Sequence, residues 1–264
     1  VSNIVTVVQA RTGSTRLPGK VLLDILGQPL LVRMIERVQA ASLAGTVVVA
    51  TTTDASDDPI EALCTQHGLH CYRGSVHDLL DRHYRAGLLF GADAVVKIPS
   101  DCPLIDPAVV DRVLDFFLEN KFDYAGNLHP ATYPDGNDVE IMSMAALNKA
   151  WTEAQRPLER EHTTPYFWEN PNLFSIGNIA WETGLDYSMS HRWTIDYPED
   201  FAFIRTVYEH LYPENPRFGL QDILNLTDKH PEIFALNNRY AGVNWYRNHL
   251  DELKTVTAEQ TKQL

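Results

Sequence analysis

The sequence predicts a doubly wound α/β domain on a mainly parallel sheet, and three observations predict it. Short apolar runs alternate with segments of helical period through the first 127 residues. Those runs are continuously apolar, as strands buried on both faces are. Acids, prolines and glycines punctuate the joints where helices start and stop.

The elements follow in order. "IVTVVQA" (residues 4–10) reads as the first strand, and a polar loop follows it. Leu30, Leu31, Met34, Ile35 and Val38 recur at helical spacing. "TVVVATTT" (46–53) is a second strand, and "DDPIEALCTQHG" (57–68) a helix with Pro59 in its first turn and Gly68 at its end. "LHCYRG" (69–74), the helix "HDLLDRHYRAGLLFG" (77–91) and the strand "DAVVKIP" (93–99) continue the pattern. "DPAVVDRVLDFFLENK" (106–121) is a helix opened by Asp106 as N-cap and Pro107, and "FDYAGN" (122–127) is a fifth strand. Regularity then drops. Residues 128–191 read as an excursion out of the sheet, with strand-like "DVEIMSM" (138–144) and "LFSIGNIAW" (173–181) and helices around 145–154 and 162–170. Residues 192–195 read as a strand that rejoins the sheet, followed by a helix. The expected organisation is a main domain over residues 1–216 and a helical C-terminal extension over 217–264, whose last ten residues look frayed.

The 264 residues carry 35 acids against 22 Lys and Arg, a net charge of −13. That balance argues against non-specific binding to nucleic acid or anionic lipid, but not against a small anion in a local basic pocket. No apolar run approaches the roughly 18–20 residues needed to cross a bilayer, and the start of the chain lacks the pattern of a secretory signal. Three cysteines without a CxxC pair suit a reducing compartment, so a cytoplasmic location is expected.

Against this acidic background, "QARTGSTRLPGK" (9–20) holds Arg11, Arg16 and Lys20 and no acid. It follows the first strand, so it falls at the carboxyl edge of the sheet, where such folds bind ligands. Its glycines have neither the GxxxxGK[ST] nor the GxGxxG spacing. The composition still suits a polyphosphate. Gly13, Ser14 and Thr15 admit close backbone approach and offer donors; Arg11 and Arg16 can fork across phosphate oxygens, and Lys20 adds a point charge. Asp101 follows the fourth strand and Asp196 the expected rejoining strand. Both acids therefore reach the ligand edge, where two carboxylates can share a hard cation such as Mg²⁺, with Mn²⁺ as a substitute.

The loop resembles the first motif of the cytidylyltransferases that activate sugar acids, the CMP-Kdo and CMP-sialic acid synthetases, and more closely the spore coat polysaccharide biosynthesis protein F family. "VVVATTTDASDDPI", "YRGSVHDLLDRHY", "SDCPLIDP", "TYPDGNDVE", "REHTTPY" and "RWTIDYPEDFAFI" extend the resemblance, in order, over roughly residues 4–211. It implies a CTP-dependent nucleotidyltransferase that transfers CMP to an anionic acceptor such as a sugar acid, releasing pyrophosphate. A phosphonate or sugar phosphate acceptor, and a nucleotide-sugar glycosyltransferase of similar fold, are the alternatives.

Within that resemblance, Arg11, Lys20, Asp101 and Asp196 are the expected catalytic residues, and Asp101 and Asp196 the Mg²⁺ ligands. Ala10, Arg11, Gly13, Ser14, Arg16, Lys20, Arg73, Gly74, Ser75 and Ser100 are expected around the nucleotide. Ser100 stands where the resembling proteins often carry glycine, which narrows the site near the ribose or base. Asp138, Glu140, Arg160 and His162 are expected on the acceptor side. The aromatic content of the excursion (Tyr133, Tyr166, Phe167, Trp168, Phe174 and Trp181) suggests a covered surface and hence a homodimer, as the related synthetases form through an inserted segment.

Overall fold

The computed structural model describes residues 3–264; residues 1 and 2, with which the expected main domain begins, lie outside the described residues. Strand β1 (Ile4–Gln9) leads through the cationic loop to a two-residue hairpin, β2 (Asp24–Ile25) and β3 (Gln28–Pro29), and then to helix α1 (Leu30–Gln39). Next come β4 (Thr46–Thr52), α2 (Asp58–His67), β5 (His70–Gly74), α3 (Leu79–Leu89), β6 (Ala94–Pro99) and α4 (Pro107–Asn120). The middle of the chain gives β7 (Tyr124–Gly126), β8 (Glu140–Ser143), α5 (Met144–Glu153), α6 (Pro157–His162), α7 (Pro165–Trp168) and β9 (Ile176–Asn178). Helices α8 (Pro198–Leu211), α9 (Leu220–Lys229) and α10 (Pro231–Phe234) follow, and short 3₁₀ turns complete the chain.

The main sheet has the order β5-β4-β1-β6-β8-β7-β9. Strands β5, β4, β1 and β6 are parallel, β8 runs antiparallel between β6 and β7, and β9 pairs parallel with β7. The chain builds outward from β1 to β4 and β5, then returns to the other side of β1 with β6. That reversal is a topological switch point, where a crevice opens at the carboxyl ends of the strands. Gln9 and Pro99 are in register across it, so Ala10–Arg11 and Ser100–Asp101 leave the sheet side by side.

The continuous apolar runs are explained by two cores, one on each face. Val8 packs into the larger core with α1, α4, α8 and α9, while Val5 and Val7 pack into the second, with α3, α5 and the aromatics of α7. Local signals set the helix ends. Asp78 caps α3 by accepting from the Asp81 N–H (2.8 Å), Asp106 caps α4 by accepting from Ala108 N–H (2.7 Å), and Gly68 closes α2 at φ +64°.

Three expectations are corrected. Residues 192–195 form no sheet strand; Arg192 makes an isolated bridge with Asp135, and Ile195 N–H donates to the Asp101 carbonyl instead of to a sheet neighbour. The place beside β6 is taken by β8, so residues 128–191 are not an excursion out of the sheet but supply two of its strands. The last ten residues are not wholly frayed, since Val256 is buried in the second core and Thr261 is also buried.

The aromatics that suggested a dimer also pack within the chain. Tyr133, Phe167, Trp168, Phe174 and Trp181 are all buried, so that argument for a partner surface falls. Among the described residues, no helix is long and apolar enough to cross a membrane.

Candidate active site

The cationic loop is fixed from beneath by one carboxylate. Asp57, buried at the start of α2, accepts from Thr12 N–H (2.7 Å) and Thr12 Oγ1 (2.9 Å), and also from the Thr52 hydroxyl. Gly19 N–H donates back to the Thr12 carbonyl (3.0 Å), and Gly19 takes the left-handed φ of +67° that closes the loop. Lys20 then opens a 3₁₀ turn, with its ammonium donating to the Ile195 carbonyl (2.6 Å) and to Asp196 Oδ1 (3.2 Å). Arg16 reaches the same Asp196 oxygen at 2.8 Å, while Arg192 Nη2 lies 3.2 Å from Oδ2. Arg192 is oriented by Asp200, whose two oxygens accept from it at 2.8 and 2.9 Å and whose Oδ2 also accepts from the backbone N–H of Asp196 and Tyr197.

The turn after β6 meets this segment directly. Thr194 Oγ1 and Ile195 N–H both donate to the Asp101 carbonyl, at 2.9 and 3.0 Å. Asp101 and Asp196, 95 positions apart in the chain, are thereby brought to one place without a shared strand pairing. Burial pushes the Asp101 carboxyl up; Lys20 opposes that shift and the charge of Asp196 adds to it. Burial works in the same direction on Asp196, but Lys20, Arg16 and Arg192 outweigh it and hold the group below the usual carboxylate range. Asp138 is raised to about 7 by burial and then by Asp101, and Asp135 well above its ordinary value by burial and then by Asp138. Four aspartates thus crowd one region. Among the described residues, no group of three or more His, Cys, Asp or Glu is gathered to hold an ion by itself. A cation on Asp101 and Asp196 would complete its shell from a ligand and water, which suits Mg²⁺.

Asp101, Asp138 and Asp196, together with the cationic loop, line a cavity of about 620 Å³ at the switch point. Ala10, Arg11, Gly13, Ser14, Arg16, Lys20, Ser100, Asp101 and Asp196 border it, as do Asp138, Glu140, Arg160 and His162. Arg73, Gly74 and Ser75 do not. Arg73 turns toward α2, pairing with Asp58 (2.7 Å) and Glu61 (2.8 Å) and donating to the Thr52 and Asp54 carbonyls. Gly74 is buried against Arg82 and Tyr72, and the Ser75 hydroxyl accepts from Asp78 N–H at the start of α3. Their neighbours Val76 and His77 border the cavity instead.

Residues 5–221 match the family model described as cytidylyltransferase. The chain belongs to the cytidylyltransferase family. It is 34% identical over 235 residues to the uncharacterised protein MJ1063 of Methanocaldococcus jannaschii, a match that covers 89% of this chain and 94% of the relative. It is 26% identical over 235 residues to the spore coat polysaccharide biosynthesis protein SpsF of Bacillus subtilis, covering 88% and 96%. It is also 39% identical over 183 residues to the 3-deoxy-manno-octulosonate cytidylyltransferase of Brucella anthropi, covering 67% and 72%. A cytidylyltransferase structure from Leptospira borgpetersenii superposes with a TM-score of 0.82 at 32% identity, covering 88% of this chain and 96% of that one. The protein is therefore a nucleotidyltransferase.

The structure adds residues to this candidate site that pattern reading passed over. Lys97, buried in β6, borders the cavity and donates to Glu140 Oε2 at 2.6 Å, while Tyr124 OH donates to Glu140 Oε1 at 2.6 Å. A lone lysine inside "AVVKIP" was the available signal. Arg82 is also buried against the cavity. Its Nη1 donates to the Ala50 carbonyl (3.3 Å) but its Nε has no partner among the described residues, and burial, then nearby Arg11, lowers its pKa to about 10. On the sequence it sits on an apparently solvated helix face. Trp245 and Tyr246 come from the C-terminal turns, far from any motif.

Proposed function

We propose that this cytidylyltransferase transfers CMP from CTP to a sugar acid, with pyrophosphate as the leaving group, in the synthesis of a surface polysaccharide. The observation that carries the reading is the meeting of the cationic loop with the Asp101 and Asp196 turns at one switch point. An acceptor hydroxyl oxygen attacks the α-phosphorus of CTP in line; the new P–O bond forms as the bond to the β-phosphate oxygen breaks, the electron pair leaves with pyrophosphate, and the hydroxyl proton is released to water. Arg11, Arg16 and Lys20 lie where the triphosphate charge would sit. Arg16 and Lys20 share part of their charge with Asp196 and would offset phosphate charge if that carboxylate held a cation.

Asp101 and Asp196 would hold Mg²⁺, which offsets phosphate charge and acidifies an attacking hydroxyl. The four aspartates fit that demand, since their mutual repulsion in a buried site is relieved by a dication. The names of the SpsF and 3-deoxy-manno-octulosonate relatives support the acceptor class. Pyrophosphate release should be measured with each of the four nucleoside triphosphates and a panel of sugar acids, sugar phosphates and phosphonates, with and without chelator. CTP with a sugar acid should be the productive pair and Mg²⁺ should restore a chelated sample; activity confined to phosphonates or to another nucleotide would overturn the reading.

A further inference from the structure

The match to the family model ends at residue 221, yet the chain beyond it helps to form the cavity. Residues 242–256 cross one end as a strap held at several points. Arg192 Nη1 donates to the Val243 carbonyl (2.8 Å), so the guanidinium that faces Asp196 and Asp200 also grips the strap. Buried Glu169 accepts from the Lys254 N–H, the Thr255 N–H and the Thr255 hydroxyl, at 2.7 to 3.0 Å. Leu253 and Val256 sit in the second core. Between these anchors Asn244 caps the turn Trp245–Asn248, accepting from Tyr246 N–H at 3.1 Å and donating to the Gln260 carbonyl at 2.8 Å.

This anchoring fixes two aromatic rings in the cavity wall. Trp245 stacks on His162 with centroids 3.8 Å apart and planes 11° from parallel. Tyr246 OH lies 3.4 Å from the His129 ring nitrogens, and His129 stacks on Trp168 at 4.2 Å. The cations near this end already have acids: Lys97 has Glu140, and Arg160 Nη2 lies 2.6 Å from Asp78. Burial lowers His129 to about 4 and His162 to about 3, so both rings are neutral near pH 7. The loop end of the cavity offers charge, while the strap end offers aromatic faces and polar groups that are already paired.

Resting on the proposed cytidylyl transfer, we propose that Trp245 and Tyr246 form the acceptor-selecting wall, with Trp245 packing against the C–H face of a cyclic, polyhydroxylated acceptor. A flat indole held rigidly rewards a ring-shaped partner and gives nothing to a compact acyclic anion. Trp245 and Tyr246 are specificity-determining residues here, on the strap side of the cavity.

The test uses the full chain with 3-deoxy-manno-octulosonate as ring acceptor and ethylphosphonate as acyclic control. CTP affinity is read by calorimetry, acceptor KM and kcat by pyrophosphate release, and folding by thermal melting. Trp245→Ala should raise the ring-acceptor KM tenfold or more while the CTP Kd stays within twofold, and Trp245→Phe should recover most of the loss. Wild-type tryptophan fluorescence should respond to the ring acceptor in the presence of CTP, and the response should be lost in Trp245→Phe, a readout that holds if the alanine variant does not fold. An unchanged acceptor KM, an equal loss of CTP affinity, or a response retained in Trp245→Phe overturns the wall. So does a wild-type protein that binds CTP but neither turns over nor responds to the ring acceptor. Failure of the wild type to bind CTP at all would instead overturn the underlying reading.

Discussion

The two ends of the cavity are built in opposite ways. At the loop end, Arg11, Arg16 and Lys20 stand on a partly exposed loop, and the attractions there link two stretches of chain far apart in sequence, with Asp196 serving Arg16, Lys20 and Arg192 together. At the strap end, each cation has an acid of its own, Lys97 with Glu140 and Arg160 with Asp78, histidines are kept neutral by burial, and the surfaces are aromatic. On the proposed reading the first end is organised to change partners, its cations exchanging a carboxylate for a phosphate. The second is organised to hold its shape. On the proposed reading the loop end serves chemistry and the strap end selection, so variants at the two ends should fail differently.

The largest effect should come from Asp101. Asp101→Asn should lower kcat on the order of a thousandfold, the several kcal/mol that a mispositioned metal forfeits. The same change should raise the melting temperature of the protein without nucleotide, because it removes a buried charge that Asp196 and Asp138 repel. Asp196→Asn should be comparably inactive but should melt lower, since it leaves Arg16 and Lys20 without their carboxylate and takes one of the acids that face Arg192. The double variant should be little worse than either single one if the two acids serve one ion. Multiplicative losses would separate their roles, and an Asp101→Asn protein that is both active and no more stable would break the contrast between the ends.

Lys20→Ala comes next. Removing one preorganised contact to transferring phosphate costs about 2–4 kcal/mol, so kcat should fall on the order of a hundredfold or more. Melting should change little, because the ammonium is bonded at the cavity rim rather than in either core. Near-normal pyrophosphate release by a folded Lys20→Ala protein would remove the loop from the chemistry. Asp57→Asn tests the foundation of the loop: it weakens the acceptor of two Thr12 donors without touching the cavity. We expect a CTP KM raised on the order of tenfold with kcat less affected, read in the same assay.

The two ends also differ in how legible they were. The loop end could be read because its ingredients are contiguous: three cations in twelve residues after a buried strand, in a chain of net negative charge. The switch point follows from the β-α alternation, and Asp101 from its place after a strand. Asp196 borders the cavity, but not for the structural reason that a strand reading gives. It arrives by hydrogen bonds to the Asp101 carbonyl, not on a sheet strand, and periodicity does not report such a contact. The error over Arg73 has a similar origin. Residues at the end of a strand alternate in direction, and only the side-chain partners Asp58 and Glu61 show that this one turns outward. The strap was illegible because its residues are short turns without period, fixed by Arg192 and Glu169 from elsewhere in the chain.

The smallest effect concerns protons, and it opposes the two ends directly. His162 lies near 3 in the folded protein against an ordinary 6.5, chiefly through burial. Between those values the unfolded chain binds a proton that the native state does not. This contribution to stability is complete above about pH 6.5 and falls away as pH drops toward 3. Asp138 has the opposite sign. Raised to about 7 from 3.8, it binds its proton more tightly in the native state, so stability falls as pH rises between those values. In the wild type the two slopes partly cancel. Denaturant midpoints taken from pH 4 to 7.5 without nucleotide or metal should therefore separate in the variants. Asp138→Asn should gain stability near neutrality and show a steeper loss toward acid, while His162→Gln should flatten the acid limb. Parallel profiles for the two variants would mean that the charge-crowded end and the neutral aromatic end are not the electrostatic opposites their burial implies.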